Sequence, residues 1–582
     1  MQTQAAVKYD FNMHASYRLQ VLQTEMSRLA RNAACASVMA DPVSFWRSQR
    51  SNSTNFTAAT DLKRLQVAER CETIPIAGFL KTPPMPFLYS FEKPYLEDPP
   101  VTDILKVSNE STSSVVLVNS SSSFFIGETV ALLITVRDRE GNPKTKGGDD
   151  VRAWFTDVSS SNSTLPAKIT DYGNGTYLAR AVLAFVGTFR ACAILAYSRE
   201  YLQTVLTNHL MVKSTLIFLG VFSNSLANET SVCCHVPVIP GVNQSEICNL
   251  TEVNGTPWFC GHPVKPWLKC TDYIRTRKLK TPLTMPMNNA EKLLFSMDIK
   301  KFTIPAASDI TLNVSVGKDN KRLTRLTSST NCSAISPRQT WEQPEPTGYM
   351  YKGLWHPYFC RRPESFTKSC LRNVHILFLG DSNGRQLYED ISPRSSCQEQ
   401  IKKGYKAWHK PLKCISKDLN FTLEWIPHSN PFRATDTGWA ELEWIKASNK
   451  VIDEIPNTGR CLVHIHHYLH TACTHLSAYI HMMTAIKESL VRLLKRNPSV
   501  VVVIQGPHVI WQSGSRAACT KLDSQRLFYT TVLLELFKDM RDQVFYLQTS
   551  DMTIASHNND NHPPLKWQIS NMLTGFICGR QW

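Results

Sequence analysis

The sequence predicts a multidomain fold in which a β-sandwich and a cysteine-rich region precede a C-terminal α/β domain with a parallel sheet. Three observations support this prediction. The 582 residues exceed what one compact core holds. Short alternating runs separated by turn signals fill residues 101–213. From about residue 329 onward, continuous Val/Ile runs alternate with amphipathic helical segments.

The N-terminal segment, residues 1–70, is atypical and has no clear signal peptide. Charged residues such as Lys8, Asp10 and Arg18 interrupt any apolar core. The true start is therefore expected upstream, or the segment is an alternative exon. Residues 71–100 are rich in proline, and the stretch TPPMPFLYSFEKPYLEDPP predicts an extended linker.

Two regions of different composition come next. Residues 101–213 contain SSVVLVNSSSSFFIGETVALLITVRDREGNPK, whose strand-like runs and Gly-Asn-Pro turn are typical of a β-sandwich. Residues 214–328 carry closely spaced cysteines but few long apolar runs, so disulfides are expected to compensate for a small core. A role in binding or structural support is expected for this region.

The C-terminal region, residues 329–582, alternates strands and helices. VHILFLG, CLVHIHHY, VVVVIQG and QVFYLQT are strand-like runs, and the longest helical pattern is HLSAYIHMMTAIKESLVRLLKRN. Continuous apolar strands separated by helices indicate a parallel sheet that is covered on both faces. This region is therefore predicted to be an α/β domain.

Cysteines and glycosylation sequons both indicate an oxidising compartment. The 17 cysteines include no CxxC pair, so a disulfide framework is favoured over metal binding. Asn-x-Ser/Thr occurs 13 times, which favours a secreted protein or one of the Golgi or endoplasmic reticulum lumen. The sequon asparagines are Asn52, Asn55, Asn109, Asn119, Asn162, Asn174, Asn228, Asn243, Asn249, Asn254, Asn313, Asn331 and Asn420.

The charge of the chain indicates what it binds. Its formal net charge of +16 is scattered in short clusters and accompanies no nucleic-acid motif. This distribution favours acidic partners such as anionic glycans and disfavours nucleic acid. The most apolar run, 216–222, is too short to span a membrane.

Ser382 is the candidate nucleophile. It follows the strand-like run VHILFLG, and an open parallel sheet places its active site at the carboxyl ends of strands. Gly380 permits a tight turn, and a following helix would direct N–H groups toward a developing oxyanion. The alternative is that Gly-Asp-Ser is only a turn in which Asp381 or Ser382 caps the helix.

His562 is the candidate base. It lies in SHNNDNHPP, after the last predicted strand, where a loop would return to the same sheet edge. A carboxylate or amide must hold its tautomer, and Asp560 and Asn559 are the nearest candidates, with Asp551 further back. The alternative is an ordinary loop histidine before a proline.

A group of closely spaced histidines raises the question of a metal site. Its members are His464, His466, His467, His470 and His475. No carboxylate or cysteine accompanies them in a recognised motif, so we predict no metal and expect the rings to line the site edge or lie in the sheet. His508 ends another strand and is a candidate for substrate contact.

The order of these motifs resembles the neurexophilin and PC-esterase domain (NXPE) family. The motifs are CNLTEVNGTPWFC, LFLGDSNGRQLYED, NNDNHPP and a terminal GFIC, and the resemblance covers about residues 71–582. It implies an Ig/filamin-like sandwich, a neurexophilin-like cysteine-rich region and a C-terminal PC-esterase domain of the SGNH/GDSL-like fold.

The resemblance also implies a function for the candidate residues. Ser382 would be the nucleophile and His562 the base, Gly380 and Asp381 would form the turn beside the oxyanion, and Arg385 would support the loop or neutralise an acidic substrate. The expected reaction is transfer or hydrolysis of O-acyl groups, chiefly acetyl, on glycans. No bound cofactor is expected. Acetyl-CoA is the candidate donor, and a sialylated or other acidic glycan is the candidate acceptor.

The chain departs from the pattern of the fold at two places. Asn559 stands three residues before His562, where the fold usually has Asp, and HIHHYLH replaces the usual third-strand oxyanion donor, for which Gly404 is the candidate. An alternative function is therefore a catalytically vestigial secreted binding protein whose neurexophilin-like region contacts a receptor ectodomain. An O-acetyltransferase or carboxylester hydrolase and this ligand-like protein remain the two hypotheses.

Overall fold

The computed structural model describes most of the chain from residue 86 onward. The described ranges are 86–118, 121–212, 216–237, 239, 242–282, 287–296, 303–317, 325–341, 346–401, 410–431, 439–444, 446–510 and 522–580. The prediction for residues 1–70 and the suggestion for Gly404 lie outside the described residues.

The first half of the chain is rich in strands. Its elements are α1 (Pro86–Leu96), β1 (Ser108–Leu117), β2 (Ser123–Phe125), β3 (Thr129–Asp138), β4 (Asp150–Asp157), β5 (Ser160–Pro166), β6 (Lys168–Asp171), β7 (Thr176–Val182), β8 (Gly187–Tyr197), α2 (Arg199–Val212), β9 (Leu216–Ser223), β10 (Asn228–Cys234), β11 (Ile247–Asn249), α3 (Thr251–Asn254), β12 (Phe259–Gly261), β13 (Tyr273–Pro282), α4 (Asn289–Ser296) and β14 (Thr311–Ser315).

The second half alternates strands and helices. Its elements are α5 (Arg338–Trp341), β15 (Gly348–Tyr351), β16 (Leu354–Pro357), β17 (Val374–Gly380), α6 (Ser382–Ser395), β18 (Gln398–Ile401), β19 (Leu412–Ser416), β20 (Phe421–Pro427), β21 (Trp439–Glu441), α7 (Ser448–Asp453), β22 (Arg460–His466), α8 (Leu476–Arg496), β23 (Val500–Gln505), α9 (Arg526–Leu536), β24 (Val544–Leu547), α10 (Thr549–Ala555) and α11 (Lys566–Gly575).

Helix α1 occupies part of the segment that the sequence predicted to be an extended linker. Pro86 stands at its first position, where the missing N–H breaks no helical hydrogen bond. The rings of Phe91 and Tyr95 pack against Phe528, with centroid distances of 5.8 and 5.4 Å. These contacts with α9, about 430 residues away in sequence, explain why the segment folds.

Two sheets pack into a sandwich. One has the strand order β1-β3-β7-β6 and the other the order β16-β15-β5-β4-β8-β14-β2. Strand β3 shows the alternation that the sequence suggests, because every second residue from Val130 to Val136 is fully buried. The larger sheet also recruits β14, β15 and β16, which lie outside residues 101–213.

The cysteine-rich region forms a third sheet, in the order β11-β12-β10-β9-β13-β21. Disulfides Cys233–Cys260 and Cys248–Cys270 tie its strands together around the buried Trp258. Three further disulfides, Cys332–Cys360, Cys370–Cys578 and Cys397–Cys414, lie in the second half of the chain. The predicted disulfide framework is therefore confirmed.

The fourth sheet lies in the C-terminal region and has the order β18-β19-β20-β17-β22-β23-β24. Strands β20, β17, β22, β23 and β24 run parallel to one another. Strand β19 pairs antiparallel with both β20 and β18. All six residues of β23 are buried, as expected for a strand that is covered on both faces. Among the helices of the described residues, none is long and apolar enough to cross a membrane.

A buried charge network joins the sandwich to this parallel sheet. The Arg152 guanidinium donates to Asp150 at 2.6 Å and to Asp523 at 2.9 Å, and all three side chains are at most 2% exposed. Burial would raise the pKa of Asp150, but Arg152 and Arg526 reverse that effect and hold the pKa below its ordinary value. The network therefore keeps Asp150 ionised only while its arginines remain in place.

The first prediction concerns the stability that depends on this network. Arg152→Leu should lower the free energy of unfolding by about 3–5 kcal/mol, because the buried Asp523 loses the arginine that pairs with it. Thermal and denaturant unfolding would measure the loss. Arg338→Leu, which removes an exposed ion pair with Asp542, is the control and should cost far less, because solvent screens exposed pairs. Equal losses in the two variants would contradict the prediction.

The sequons differ in their access to solvent. Asn254 is 1% exposed, and its Nδ2 donates to Thr256 Oγ1 at 2.9 Å and to the backbone oxygen of Asn430 at 3.2 Å. A glycan on this nitrogen would prevent both burial and these bonds. Asn109 is also buried, whereas eight other described sequon asparagines are exposed: Asn162, Asn174, Asn228, Asn243, Asn249, Asn313, Asn331 and Asn420.

The second prediction follows from the burial of Asn254. Glycopeptide mass spectrometry on folded protein expressed through the secretory pathway should find Asn254 unmodified. Glycans should be found only among exposed sequons such as Asn162 and Asn243. A substantial glycosylated fraction at Asn254 in folded protein would contradict the packing of that side chain.

Candidate active site

Ser382 lies at the topological switch point of the parallel sheet. Strand β17 pairs with β20 on one side and with β22 on the other, so the chain leaves β17 in one direction and later returns on the opposite side. Ligand sites in open parallel sheets form at such a point, outside the carboxyl ends of the strands. Ser382 begins helix α6 two residues after the last residue of β17.

Gly380 makes the close turn between β17 and α6. Its φ is +150°, a conformation that residues with a side chain rarely adopt. A Cβ at this position would lie 2.0 Å from the backbone oxygen of His466 on β22. A glycine at this position therefore lets β17 stay paired with β22 as far as Gly380, directly before Asp381 and Ser382.

Asp381, rather than Ser382, is the N-cap of helix α6. Its Oδ1 accepts hydrogen bonds from the Asn383 backbone N–H at 2.8 Å and from the Asn383 side chain at 3.1 Å. Burial would raise the pKa of Asp381, but His466, His470, His428 and the Asn383 N–H hold it well below its ordinary range. The carboxylate is thus ionised and committed to the turn, which leaves the Ser382 hydroxyl available.

The hydroxyl of Ser382 meets the imidazole of His562. Ser382 Oγ lies 2.6 Å from His562 Nε2, although 180 residues separate the two in sequence. The His562 side chain is 35% exposed, and Ser382 is half-buried. A serine that donates to a histidine at this distance has the geometry of a nucleophile with its general base.

Asp560 is the carboxylate closest to the other side of the ring. Its Oδ1 lies 3.8 Å from His562 Nδ1, which is beyond a hydrogen bond, and it accepts the His562 backbone N–H at 3.0 Å. Asn559 is exposed. Asp551 is occupied elsewhere, because it accepts from the N–H and hydroxyl of Thr347 at 2.8 and 2.9 Å.

Asn558, which the sequence analysis did not single out, anchors the loop that carries His562. It is 1% exposed and donates through Nδ2 to the backbone oxygens of Val509 at 2.6 Å and of Asp560 at 2.9 Å. Its Oδ1 accepts the Asp560 N–H at 3.2 Å. The Asn-rich run before His562 could have indicated such an anchor, because asparagine side chains readily form hydrogen bonds with nearby backbone groups.

The cysteine-rich region holds the loop that follows β20, beside the same sheet edge. Asn254 accepts the Asn430 backbone N–H at 2.9 Å, and the hydroxyls of Thr256 and Ser429 lie 3.3 Å apart. Tyr273 OH accepts from Asn430 Nδ2 at 3.3 Å. The region in which we expected only support or binding thus contributes directly to the wall next to the candidate site.

The histidines of the 464–475 group are buried, as is His428. His464 Nε2 lies 2.8 Å from Gln505 Oε1, His467 Nε2 lies 3.0 Å from Ser448 Oγ, and His428 Nε2 lies 2.8 Å from His470 Nδ1. Burial lowers the pKa of His464 to about 3. These rings therefore form a buried, hydrogen-bonded layer behind Asp381.

His508 does not line an open surface. It is fully buried, and its ring lies 5.8 Å from that of His466 and 5.4 Å from that of Tyr468, centroid to centroid. Burial, with His466 nearby, lowers the pKa of His508 to about 3. The expectation that His508 contacts substrate is therefore wrong, because its side chain is fully buried.

Potential metal ligands converge at one place within the described part of the chain. The side-chain atoms of Cys248, His262 and Cys270 lie within 4.8 Å of one another. Cys248 and Cys270 form a disulfide, however, so neither offers a thiolate.

Arg385 packs against the body of the domain. Its side chain is 13% exposed, its Nε lies 3.6 Å from Glu389 Oε1, and its guanidinium lies 5.7 Å from the centroid of the Trp425 ring. Trp425 in turn donates through Nε1 to the backbone oxygen of Asp381 at 3.1 Å. Arg385 is thus placed to support the turn, one of the two roles suggested for it.

The site combines a serine, a histidine in contact with it and the first backbone N–H of a helix. The Ser382 N–H stands at the first position of α6, where no preceding turn of helix can accept it. Such an N–H, aligned with the helix dipole, favours an oxyanion that forms beside the serine. This combination is suited to acyl transfer through an ester of Ser382.

Comparisons with known proteins add a family assignment. Residues 355–578 match the model described as NXPE family member 4-like, C-terminal domain. Among solved structures, the Lin-41 filamin domain is 18% identical and covers 15% of this chain and 82% of its own, with a TM-score of 0.13. The adhesin FdeC from Escherichia coli is 12% identical and covers 36% of this chain and 65% of its own, with a TM-score of 0.13. At these scores neither structure adds to the topology described above.

The third prediction concerns the turn before Ser382. Gly380→Ala should destabilise the domain by more than the roughly 1–3 kcal/mol of backbone strain alone, because the added Cβ also collides with the His466 backbone. Gly459→Ala is the matched control, since Gly459 has a φ of +101° but nothing within 4 Å of its Cβ position. Denaturant unfolding would compare them, and equal losses would show that the close approach to β22 is unimportant.

Proposed function

The chain belongs to the NXPE family, and we propose that its C-terminal domain is an SGNH-like PC-esterase that transfers or hydrolyses O-acyl groups, chiefly acetyl, on glycans. The observation that carries the proposal is the 2.6 Å contact between Ser382 Oγ and His562 Nε2 at the switch point of the sheet. We place the protein in the secretory pathway, as a secreted or lumenal glycoprotein. The five disulfides among the described residues and the exposed sequons support that placement.

The proposed reaction proceeds through an acyl-enzyme. Ser382 Oγ attacks the acetyl carbonyl while His562 Nε2 takes the hydroxyl proton, and the Ser382 N–H stabilises the oxyanion. With acetyl-CoA as donor, the carbon–sulfur bond then breaks and the thiol leaves with the proton from His562. Ser382 is left as an acetyl ester.

The second half of the reaction returns the serine. A sugar hydroxyl attacks the acetyl ester while His562 takes its proton, the ester bond to Ser382 breaks, and the proton passes to Ser382 Oγ. With water as acceptor, the same steps give hydrolysis. We favour transfer to a sialylated or other acidic glycan, since the net charge of +16 suits an anionic acceptor.

Asp560 is proposed as the residue that orients His562. Its carboxylate faces the ring from 3.8 Å, and a small rotation of either side chain would bring it to hydrogen-bond distance. Asn559 was the alternative by position, and its side chain, like that of Asp560, is exposed. An ionised carboxylate also stabilises the imidazolium better than an amide does.

A second candidate function is receptor binding through the cysteine-rich region. Leu226, Val264 and Trp267 are 75%, 80% and 56% exposed, and the Asn224 side chain joins the Leu226 and Trp267 segments by hydrogen bonds. Exposed apolar groups of this kind are typical of protein-binding surfaces. In this alternative the esterase site is a relic, and a receptor ectodomain is the partner.

The fourth prediction tests the two candidates. Lumen-targeted wild-type protein should react with a fluorophosphonate probe and transfer acetyl from acetyl-CoA to a sialylated oligosaccharide, as followed by mass spectrometry. Ser382→Ala should abolish labelling, and His562→Ala should lower the transfer rate by about a thousandfold or more. Asp560→Asn should lower it by about tenfold or more, whereas Asn559→Ala should leave it near wild type.

Ser369→Ala, which changes an exposed serine of the same domain, is the control for labelling and folding. Absence of labelling in folded wild-type protein would reject the acyl-enzyme and favour receptor binding. Labelling without transfer to any glycan would leave hydrolysis as the activity. Loss of activity in Asn559→Ala rather than in Asp560→Asn would reverse the assignment of the orienting residue.

A further inference from the structure

A large cavity lies away from Ser382, where the sandwich meets the end of helix α11. Its volume is about 860 Å³, and its walls include β15, β16, the segment 325–328 and the C-terminal end of α11 with Cys578. The sandwich side is held by the pairing of Phe185 with Arg325 and by the β15–β16 hairpin. The cavity therefore has a rigid frame.

The cavity and the candidate active site lie at opposite ends of the domain. Ser382 follows the carboxyl end of β17, whereas cavity residues 361–367 precede the amino end of that strand. Seven strand residues span about 20 Å. Helix α11 likewise begins close to His562 and ends at the cavity with Gly575.

The walls of the cavity carry an excess of positive charge. Among the described residues, Arg325, Lys352, Arg361 and Arg362 line it, and Glu364 contributes the one carboxylate. Within the described residues, no ion pair neutralises any of these four cations. An arrangement of unpaired cations in a concave wall attracts anions.

Local contacts hold two of these cations in the wall. The Arg325 guanidinium lies 5.0 Å and the Lys352 ammonium 5.4 Å from the centroid of the Tyr351 ring. Arg325 also donates to His356 Nε2 at 3.4 Å. Burial, together with Arg325 and Arg362, lowers the pKa of His356 to about 4, so this ring stays neutral and accepts the bond at neutral pH.

We propose that this cavity binds an anionic oligosaccharide, one that carries sulfate or carboxylate groups. Guanidinium groups bind such anions through paired, charge-assisted hydrogen bonds. Hydroxyls of Thr327, Ser328 and Thr367 in the same wall are suitable partners for sugar hydroxyls. The volume is in the range of sites for organic ligands, about 300–1,000 Å³, and exceeds what an inorganic anion fills.

This site is independent of the proposed acyl transfer, because none of its lining residues belongs to the Ser382 site. A protein with no esterase activity would keep it. An active enzyme would use it to hold an acidic glycan at a second point, away from the reacting hydroxyl.

The fifth prediction is measured by titration calorimetry at low ionic strength. The protein is used with its N-glycans trimmed to single sugars, because Asn331 stands on the rim of the cavity. The probes are a chondroitin sulfate tetrasaccharide, the neutral chitin tetrasaccharide and inorganic sulfate. We expect the sulfated tetrasaccharide to bind and the neutral one not to bind. Added salt should weaken the binding.

The variant that tests the site replaces two exposed cations, Lys352→Gln with Arg361→Gln. It should raise the Kd for the sulfated tetrasaccharide about tenfold or more, through lost charge-assisted hydrogen bonds. The control makes the same charge change elsewhere, Arg338→Gln with Arg492→Gln, at residues paired with Asp542 and Asp453. The control and Ser382→Ala should both bind like wild type.

Four outcomes would overturn the proposal. An equal loss in the control would indicate nonspecific attraction to net charge, and a loss in Ser382→Ala would place the tetrasaccharide at the other site. Inorganic sulfate that binds as tightly as the tetrasaccharide would indicate a small-ion site. Absence of tetrasaccharide binding to the wild-type protein would remove the proposal altogether.

Discussion

Asp523 is a buried carboxylate on which three parts of the chain converge. It accepts a hydrogen bond from Arg152 on β4 at 2.9 Å and another from the hydroxyl of Tyr197 at the end of β8. The oxygen that accepts from Arg152, Oδ2, also accepts the Ile510 backbone N–H, just after β23, at 3.0 Å. An isolated buried carboxylate would be costly, so the sandwich and the parallel sheet stabilise each other at this residue.

The same contact continues to the candidate active site. Val509, the neighbour of Ile510, accepts the Asn558 side chain at 2.6 Å, and Asn558 fixes the backbone of Asp560. Asp560 in turn accepts the His562 backbone N–H. Hydrogen bonds and short backbone links therefore connect the sandwich to the backbone of His562, whose imidazole contacts Ser382. On the other side of β17, Asn254 of the cysteine-rich region holds Asn430.

The arrangement assigns different tasks to two adjacent residues. Asp381 is buried, ionised and engaged in capping α6, whereas Ser382 is half-buried and meets His562. The tripeptide Gly-Asp-Ser could have been a helix cap or a nucleophile site. Asp381 is the cap, and Ser382 is the candidate nucleophile. Buried histidines behind Asp381, including His464 and His428, whose pKa values burial lowers, fill the region with hydrogen-bonding groups.

Much of the candidate site could be predicted from local sequence. The apolar run before Gly380, the helical pattern after Ser382 and the late His-Pro loop each follow from periodicity and turn chemistry, which short stretches encode. The parallel direction of the main strands follows from the alternation of apolar strands with helices along the chain. Neither the role of Asn558 nor the choice between Asp560 and Asn559 could be predicted, because each depends on side-chain directions in one folded loop.

The sequence by itself determined the types of the main elements, the disulfide framework and the position of Ser382 at the end of a buried strand, because these depend on neighbouring residues and composition. Only the tertiary structure decided that β14, β15 and β16 complete the sandwich, that Asn254 is buried and that Arg325 and Arg361 face one cavity. These features depend on pairing between distant segments. The strand that pairs with a sheet edge, and the hydrogen-bond partner of a buried polar group, can come from any part of the chain. No local sequence pattern specifies which part.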